Sequence, residues 1–185
     1  VFALDAATGE VVWEAAVPAP TRSAPTVSDG RVFVQTIDNQ LVALSAQDGS
    51  RLWTHSVVSE TAGILGGAAP AVTGNTVIAA YSSGELYALR AETGGVLWNE
   101  NLAGLQRSDA LSTLADIRGR PVVDRDLVIA ISHSGLLAGI DLRRGSRIWD
   151  RNIGGTQSPW VAGDFIYVVD NNSELICLTR EDGRI

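Results

Sequence analysis

The sequence predicts an all-β chain, a β-propeller of four-stranded antiparallel blades present as a partial ring of about four blades. Three observations carry that prediction. An eleven-residue frame recurs, read as Ala3 to Trp13, Ala43 to Trp53, Ala88 to Trp98 and, more loosely, Gly139 to Trp149, with a fifth copy from Cys177 that runs out at Ile185 before its tryptophan. A proline precedes the tryptophan by 28 residues in each complete unit: Pro25 and Trp53, Pro70 and Trp98, Pro121 and Trp149. Within each unit three turn signals separate short apolar runs, and three turns between such runs make four strands.

Taken in order, residues 1–16 read as the end of a blade, two strands joined at Gly9 and closed by Trp13. Residues 21–57 form the first complete blade, with turns at Asp29-Gly30, Asp38-Asn39 and Gly49 and a closing Trp53. Residues 68–102 repeat the plan with Gly74-Asn75, Ser83-Gly84, Gly94 and Trp98; residues 119–153 do so with Arg125-Asp126, Ser134-Gly135, Gly145 and Trp149. Residues 157–185 begin another with Gly163-Asp164, Asn172-Ser173 and Gly183. The intervening runs are short and rich in β-branched residues, as in 31–35, 76–80 and 164–169. The third turn of each unit carries glycine where positive φ is needed. Each tryptophan falls on the last, outer strand, where a large apolar face fills the wedge between blades. Opening and stopping in mid-blade, the chain reads as a segment of a longer propeller.

Composition narrows the function. A net charge of −7 argues against a nucleic-acid footprint. All 14 cationic residues are arginine, and residues 107–151 hold eight of them against six Asp, a local excess of cations that reads as a salt-bridged surface or as a face for an acidic partner. The single cysteine, Cys177, excludes an internal disulfide and, standing where the frame has alanine, is expected to be buried. No signal peptide, lipid-attachment cysteine or long apolar span occurs.

Catalytic constellations are lacking. His55 and His133 sit in different blades without zinc-ligand spacing, and Asp124 and Asp126 flank a turn. There is no nucleophile elbow, phosphate loop or Cys-x-x-Cys. Neither a metal nor a cofactor is expected, and the chain is not expected to be an enzyme. Attention falls instead on two long connections, 54–69 and 99–120, in a fold whose blades need only a few linking residues. The first carries Ile64, Leu65 and Gly66; the second mixes Leu114 and Ile117 with Asp116 and Arg118. Residues 106–115 are expected to carry a short helical turn. An apolar centre with a charged rim suits protein docking, whereas the bland alternative has these residues folding back over the blades. Trp160, the one tryptophan outside the frame, is expected on an inner strand near the central channel.

The Ala-Leu-x-Ala-x-x-Gly-x-x-x-Trp frame resembles the repeat of pyrroloquinoline-quinone-type eight-bladed propellers over the whole chain. Within that superfamily, Leu114-Ala115-Asp116-Ile117-Arg118-Gly119-Arg120-Pro121-Val122-Val123, the run from Gly135 through Asp141 to Trp149, and Gly163-Asp164 through Tyr167, Asp170 and Asn172 resemble the BamB family of outer-membrane assembly lipoproteins. The resemblance implies about four of eight blades and a non-enzymatic scaffold on the periplasmic side of the bacterial outer membrane. Its partners would be the periplasmic domains of the barrel-forming assembly subunit and unfolded outer-membrane substrates, with no nucleic acid and with membrane attachment only through a lipid anchor outside this segment. It also implies that partner contacts come from two loops, matched here by Ile64-Leu65-Gly66 before Ala69-Pro70 and by Leu114, Asp116, Ile117 and Arg118 before Pro121. Leu65 stands where the family pattern has arginine, and Arg118 where it has a second aspartate. The alternatives are a segment of a quinoprotein dehydrogenase, which would need the quinone and Ca²⁺, and a sensor propeller of a larger receptor.

Overall fold

A computed structural model describes residues 1–58, 67–103 and 116–185. Among these residues the chain is all β, without helix, and forms five antiparallel sheets in sequence order. A two-stranded sheet, β1 (Phe2–Leu4) and β2 (Val11–Glu14), comes first. Three four-stranded meanders follow: β3 (Thr26–Ser28), β4 (Arg31–Gln35), β5 (Gln40–Ser45) and β6 (Arg51–Ser56); β7 (Ala71–Thr73), β8 (Thr76–Ala80), β9 (Glu85–Arg90) and β10 (Val96–Asn101); β11 (Val122–Asp124), β12 (Leu127–Ile131), β13 (Leu137–Asp141) and β14 (Arg147–Arg151). The last sheet has three strands, β15 (Trp160–Ala162), β16 (Phe165–Val169) and β17 (Leu175–Thr179). The short first strands β3, β7, β11 and β15 neighbour one another, so they surround the centre and the tryptophan-bearing strands lie outermost. The expected helical turn at 106–115 lies outside the described residues.

The turns form where the sequence marks them, and for a local reason. Positive φ occurs at four non-glycine residues, Asp29 (45°), Asn39 (59°), Arg125 (54°) and Ser173 (66°), each in a marked turn. The third turns use Gly49, Gly94, Gly145 and Gly183 at φ between 65° and 73°. At Gly9 and Gly49 a preceding polar side chain at Asp5 or Ser45 helps to hold the turn, Asp5 accepting from the amides of Ala7 and Thr8.

The core lies between sheets rather than within one. Ile78, Leu86 and Trp98 of one sheet interleave with Val128, Ala138 and Ile140 of the next. Phe33 and Leu41 meet Val77 and Leu89 across the preceding junction, and Ile129 and Trp149 meet Ile166 and Leu178 across the following one. Each junction is stapled by a tryptophan. The indole N–H of Trp13 donates to the Ala46 carbonyl at 2.9 Å, that of Trp53 to Ala91 at 2.9 Å, that of Trp98 to Leu142 at 2.7 Å and that of Trp149 to Arg180 at 3.0 Å. The same rings press on the third-turn glycine of the following sheet: a Cβ at Gly49, Gly94, Gly145 or Gly183 would lie 2.5–2.7 Å from the indole. At Gly139, which stands where the frame has alanine, Trp149 sits so close that a Cβ would stand 2.3 Å from its ring.

Cys177 corrects one expectation. Its counterparts Ala43 and Ala88 are fully buried beneath the tryptophans they pair with, Trp53 and Trp98. Among the described residues Cys177 pairs with Tyr167, at the edge of a three-stranded sheet, and is exposed.

The staple yields a test. Gly94→Ala and Gly30→Ala both force a side chain onto φ of +71°, but only the first meets an indole, at 2.7 Å, whereas nothing stands within 4 Å of the second. Chemical denaturation should show Gly30→Ala costing about 1 kcal/mol and Gly94→Ala about 1–3 kcal/mol more. Equal losses would mean that the tryptophan yields without cost.

Candidate docking face

Strand alternation decides which loops share a face. In a four-stranded meander, the second turn and the connection to the next sheet emerge at one end, and the first and third turns at the other. The described ends of the two long connections therefore lie beside the turns at Asp38-Asn39, Ser83-Gly84 and Ser134-Gly135. The contacts agree: the amide of Leu102 donates to the Gly84 carbonyl at 2.8 Å, and that of Val57 to the Asn39 carbonyl at 3.1 Å.

The start of the first connection is held by Asn39, which the sequence marks only as a turn residue. Asn39 is 3% exposed; its side-chain N–H₂ donates to the Val58 carbonyl at 3.2 Å, and its side-chain oxygen accepts from the amide and hydroxyl of Ser82 at 3.1 and 3.0 Å. One buried amide thus ties two neighbouring turns to the loop stem, and a buried amide with its partners all in place is rigid. At the far end of this connection Ala68 and Pro70 are buried, and the Pro70 carbonyl accepts from the Thr26 hydroxyl at 2.7 Å.

The second connection departs from buried Leu102 and returns through Asp116 to Arg120. Asp116 is 4% exposed and engaged; its carbonyl accepts from the amide of His133 at 2.9 Å. Ile117 is 2% exposed and belongs to the core between two sheets, and its amide makes a long 3.5 Å contact with the Tyr81 carbonyl. Asp116 and Ile117 are therefore buried against the blades, and neither presents an exposed charge or anchor. Arg118 is half-buried, and its Nε has no hydrogen-bond partner among the described residues. Gly119 approaches the Gln157 carbonyl so closely that a Cβ would stand 2.5 Å away, and the Arg120 amide donates to the Ser158 hydroxyl at 2.9 Å. Ile64, Leu65, Gly66 and Leu114 lie outside the described residues.

Trp160 stands on the inner strand β15 and is 68% exposed. It lines a groove of about 440 Å³ with Val72, Arg120, Pro121, Val123 and Pro159, drawn from three inner strands and their approaches. Among the described residues no group of three or more His, Cys, Asp or Glu could hold a metal.

His55, next to last in β6, lies in an aromatic cluster that the sequence does not signal. Its Nδ1 lies 2.7 Å from the hydroxyl of Tyr81, and its ring centroid 4.8 Å from that of Tyr87. Burial holds the His55 imidazole below its ordinary pKa, an effect that the Glu85 carboxylate partly offsets, and burial with Tyr87 and Glu85 nearby pushes the Tyr81 phenol far up. Tyr81 therefore stays protonated and His55 neutral, and the two share one hydrogen bond whose direction the His55 tautomer sets. Because folding disfavours imidazolium, the stability tied to His55 is complete above its unperturbed value of 6.5 and is lost as pH falls below it. Between about pH 7.5 and about pH 5 the melting temperature of the wild type should fall further than that of His55→Gln; parallel curves would refute the assignment.

Comparison with known proteins fits this architecture. A family model described as outer membrane protein assembly factor BamB matches residues 1–185. BamB of Yersinia pestis is 33% identical over 183 residues, covering 99% of this chain and 47% of that protein. BamB of Salmonella typhimurium is 32% identical over the same length and shares. The chain thus spans about half the length of these relatives. The crystal structure of BamB from Moraxella catarrhalis superposes with a TM-score of 0.91 at 25% identity, over 99% of this chain and 56% of that one. A europium-containing methanol dehydrogenase superposes at 0.72 with 18% identity, over 89% of this chain and 40% of that one, a likeness of fold alone. With the family model matching from end to end, and relatives over 30% identical along nearly the whole chain, this chain belongs to the BamB family of outer membrane protein assembly factors.

Proposed function

We propose that this chain forms part of a non-enzymatic scaffold in outer-membrane protein assembly, on the periplasmic side of the bacterial outer membrane. Through the face that carries its two long connections it binds the periplasmic domains of the barrel-forming subunit. The carrying observation is the match to BamB along the whole chain, at a TM-score of 0.91. The architecture supports the reading: both connections emerge beside the second turns, on stems fixed by Asn39, Leu102 and Ile117. A rigid platform carrying variable loops is a common way to build a protein-recognition surface.

Burial divides the labour only among the described residues of the second connection. Ile64 and Leu65 act as apolar anchors and Arg118 as an orienting charge at their edge, with Gly66 letting the backbone approach the partner. Asp116 and Ile117, both buried, shape and hold the return of the second loop, and Leu114 joins the apolar contacts to the partner. Anchors at the centre of an interface carry most of the affinity, and charges at the rim govern encounter rate and salt dependence. The quinoprotein alternative has fold likeness in its favour and nothing closer.

Binding of the intact protein to the periplasmic domains of its own organism's barrel subunit provides the test. Leu65→Glu should weaken binding at least about tenfold, or about 1.4 kcal/mol, without changing the melting temperature. Arg118→Glu should act chiefly on the association rate and its salt dependence. Undetectable wild-type binding would overturn the docking function.

A further inference from the structure

The internal repeats supply their own standard of comparison, and one junction departs from it. The eleventh residue after each blade's proline is Thr36, Tyr81, Ser132 or Asp170. In three of these the side chain is short and serves its own second turn. Thr36 accepts from the Gln40 amide at 3.2 Å, Ser132 from the Leu136 amide at 3.2 Å and Asp170 from the Glu174 amide at 2.8 Å. Tyr81 abandons that task. Its ring is 1% exposed, and its hydroxyl reaches back to His55 on the preceding sheet.

The partners depart at the same junction. Two residues past the tryptophan stands His55, where the other complete blades have Glu100 and Arg151. Tyr87 occupies a position held elsewhere by Val42, Ala138 and Ile176, and meets Tyr81 edge-on at 5.7 Å between ring centroids. Glu85 closes the group, its carboxylate accepting from Ser83 at 2.9 Å and from the Tyr87 hydroxyl at 3.5 Å. Three departures from the repeat therefore coincide in space, between the two sheets joined by the first long connection.

Tyr81 also touches the second connection. Its carbonyl takes the Ile117 amide at 3.5 Å and the Gly84 amide at 3.1 Å, and its neighbour Ser82 binds Asn39, which holds Val57 and Val58. From one residue, the side chain runs to His55 at the foot of the first connection and the main chain to Ile117 at the return of the second.

We infer that Tyr81 is a positioning residue that sets the stems of the two long connections relative to each other, so that the two halves of the docking face are presented as one surface. Its consequence for binding rests on the docking function proposed above; the linkage between the stems does not. Each bond alone is weak, but a buried hydroxyl that loses its acceptor, or an acceptor that loses its donor, leaves an uncompensated polar group, and the packing at both stems responds.

Amide hydrogen exchange on the intact protein separates the two statements. Tyr81→Phe keeps the ring and removes only the hydroxyl. It should raise exchange at both Val57 and Ile117 by about tenfold or more while leaving interior amides such as Ile129 unchanged. Tyr87→Phe, which does not bond to His55, should change neither stem. His55→Gln, which removes the ring from the other side, should reproduce the Tyr81→Phe pattern and serves if that variant fails to fold. If only the Val57 stem responds, or neither does, the linkage is overturned. Affinity for the barrel subunit's periplasmic domains is read on the same variants. Coupled stems with unaltered affinity would leave the positioning role standing and remove its place in docking, whereas a wild type that does not bind removes the docking function alone.

Discussion

One contact governs the architecture: an outer-strand indole laid on the third-turn glycine of the following sheet. The glycine must satisfy two demands at once, a left-handed backbone and the absence of a Cβ, because the ring occupies the space a side chain would need. The indole N–H then finds a carbonyl in the same turn, so the polar edge of a half-buried ring is satisfied where its apolar face is covered. Four repetitions of this contact give every junction the same geometry. That is why the span from proline to tryptophan is constant, while the span from tryptophan to proline is free to vary.

Charge is arranged around the same scaffold. The arginine-rich stretch is partly absorbed by the structure itself: Arg147 bridges to Glu100 on the preceding outer strand and to Asp150 on its own, and Asp124 receives Arg180 from the following sheet. These pairs are partly shielded from water. Arg143 and Asp126, both well exposed at 3.6 Å, contribute little. Two arginines of that stretch, Arg147 and Arg151, thus tie neighbouring blades, the second through the Asp182 carbonyl.

The same fold carries unrelated chemistries, and the likeness to a methanol dehydrogenase shows how little the blades themselves decide. What distinguishes this chain is where it spends residues beyond the repeat. The described stems of that surplus leave the sheets at one end, anchored by a buried asparagine and a buried tyrosine. A docking surface needs this combination, since affinity depends on holding contact groups in place before the partner arrives.

The fold was legible because a propeller is a local structure repeated. Each turn, strand and staple is specified by residues within one unit or the next, and five copies of the frame average away the ambiguity of any one. Cys177 shows the limit of such reading: the frame predicts burial, but burial belongs to the strand that pairs across it. The candidate face was legible only in outline. Connection lengths single it out as a candidate, yet they could not tell that Asp116 and Ile117 turn inward, because an apolar or acidic residue in a loop has no periodicity to betray its direction. Nor could they reveal that Tyr81 meets His55, 26 residues away in sequence, or that Asn39 meets Ser82, 43 away. The sequence by itself determined the blades, their order and the staples between them, since these are nearest-neighbour interactions written into every repeat. Tertiary structure alone decided which loop residues support and which ones face outward, because that depends on contacts between non-repeating residues brought together only once the sheets are stacked.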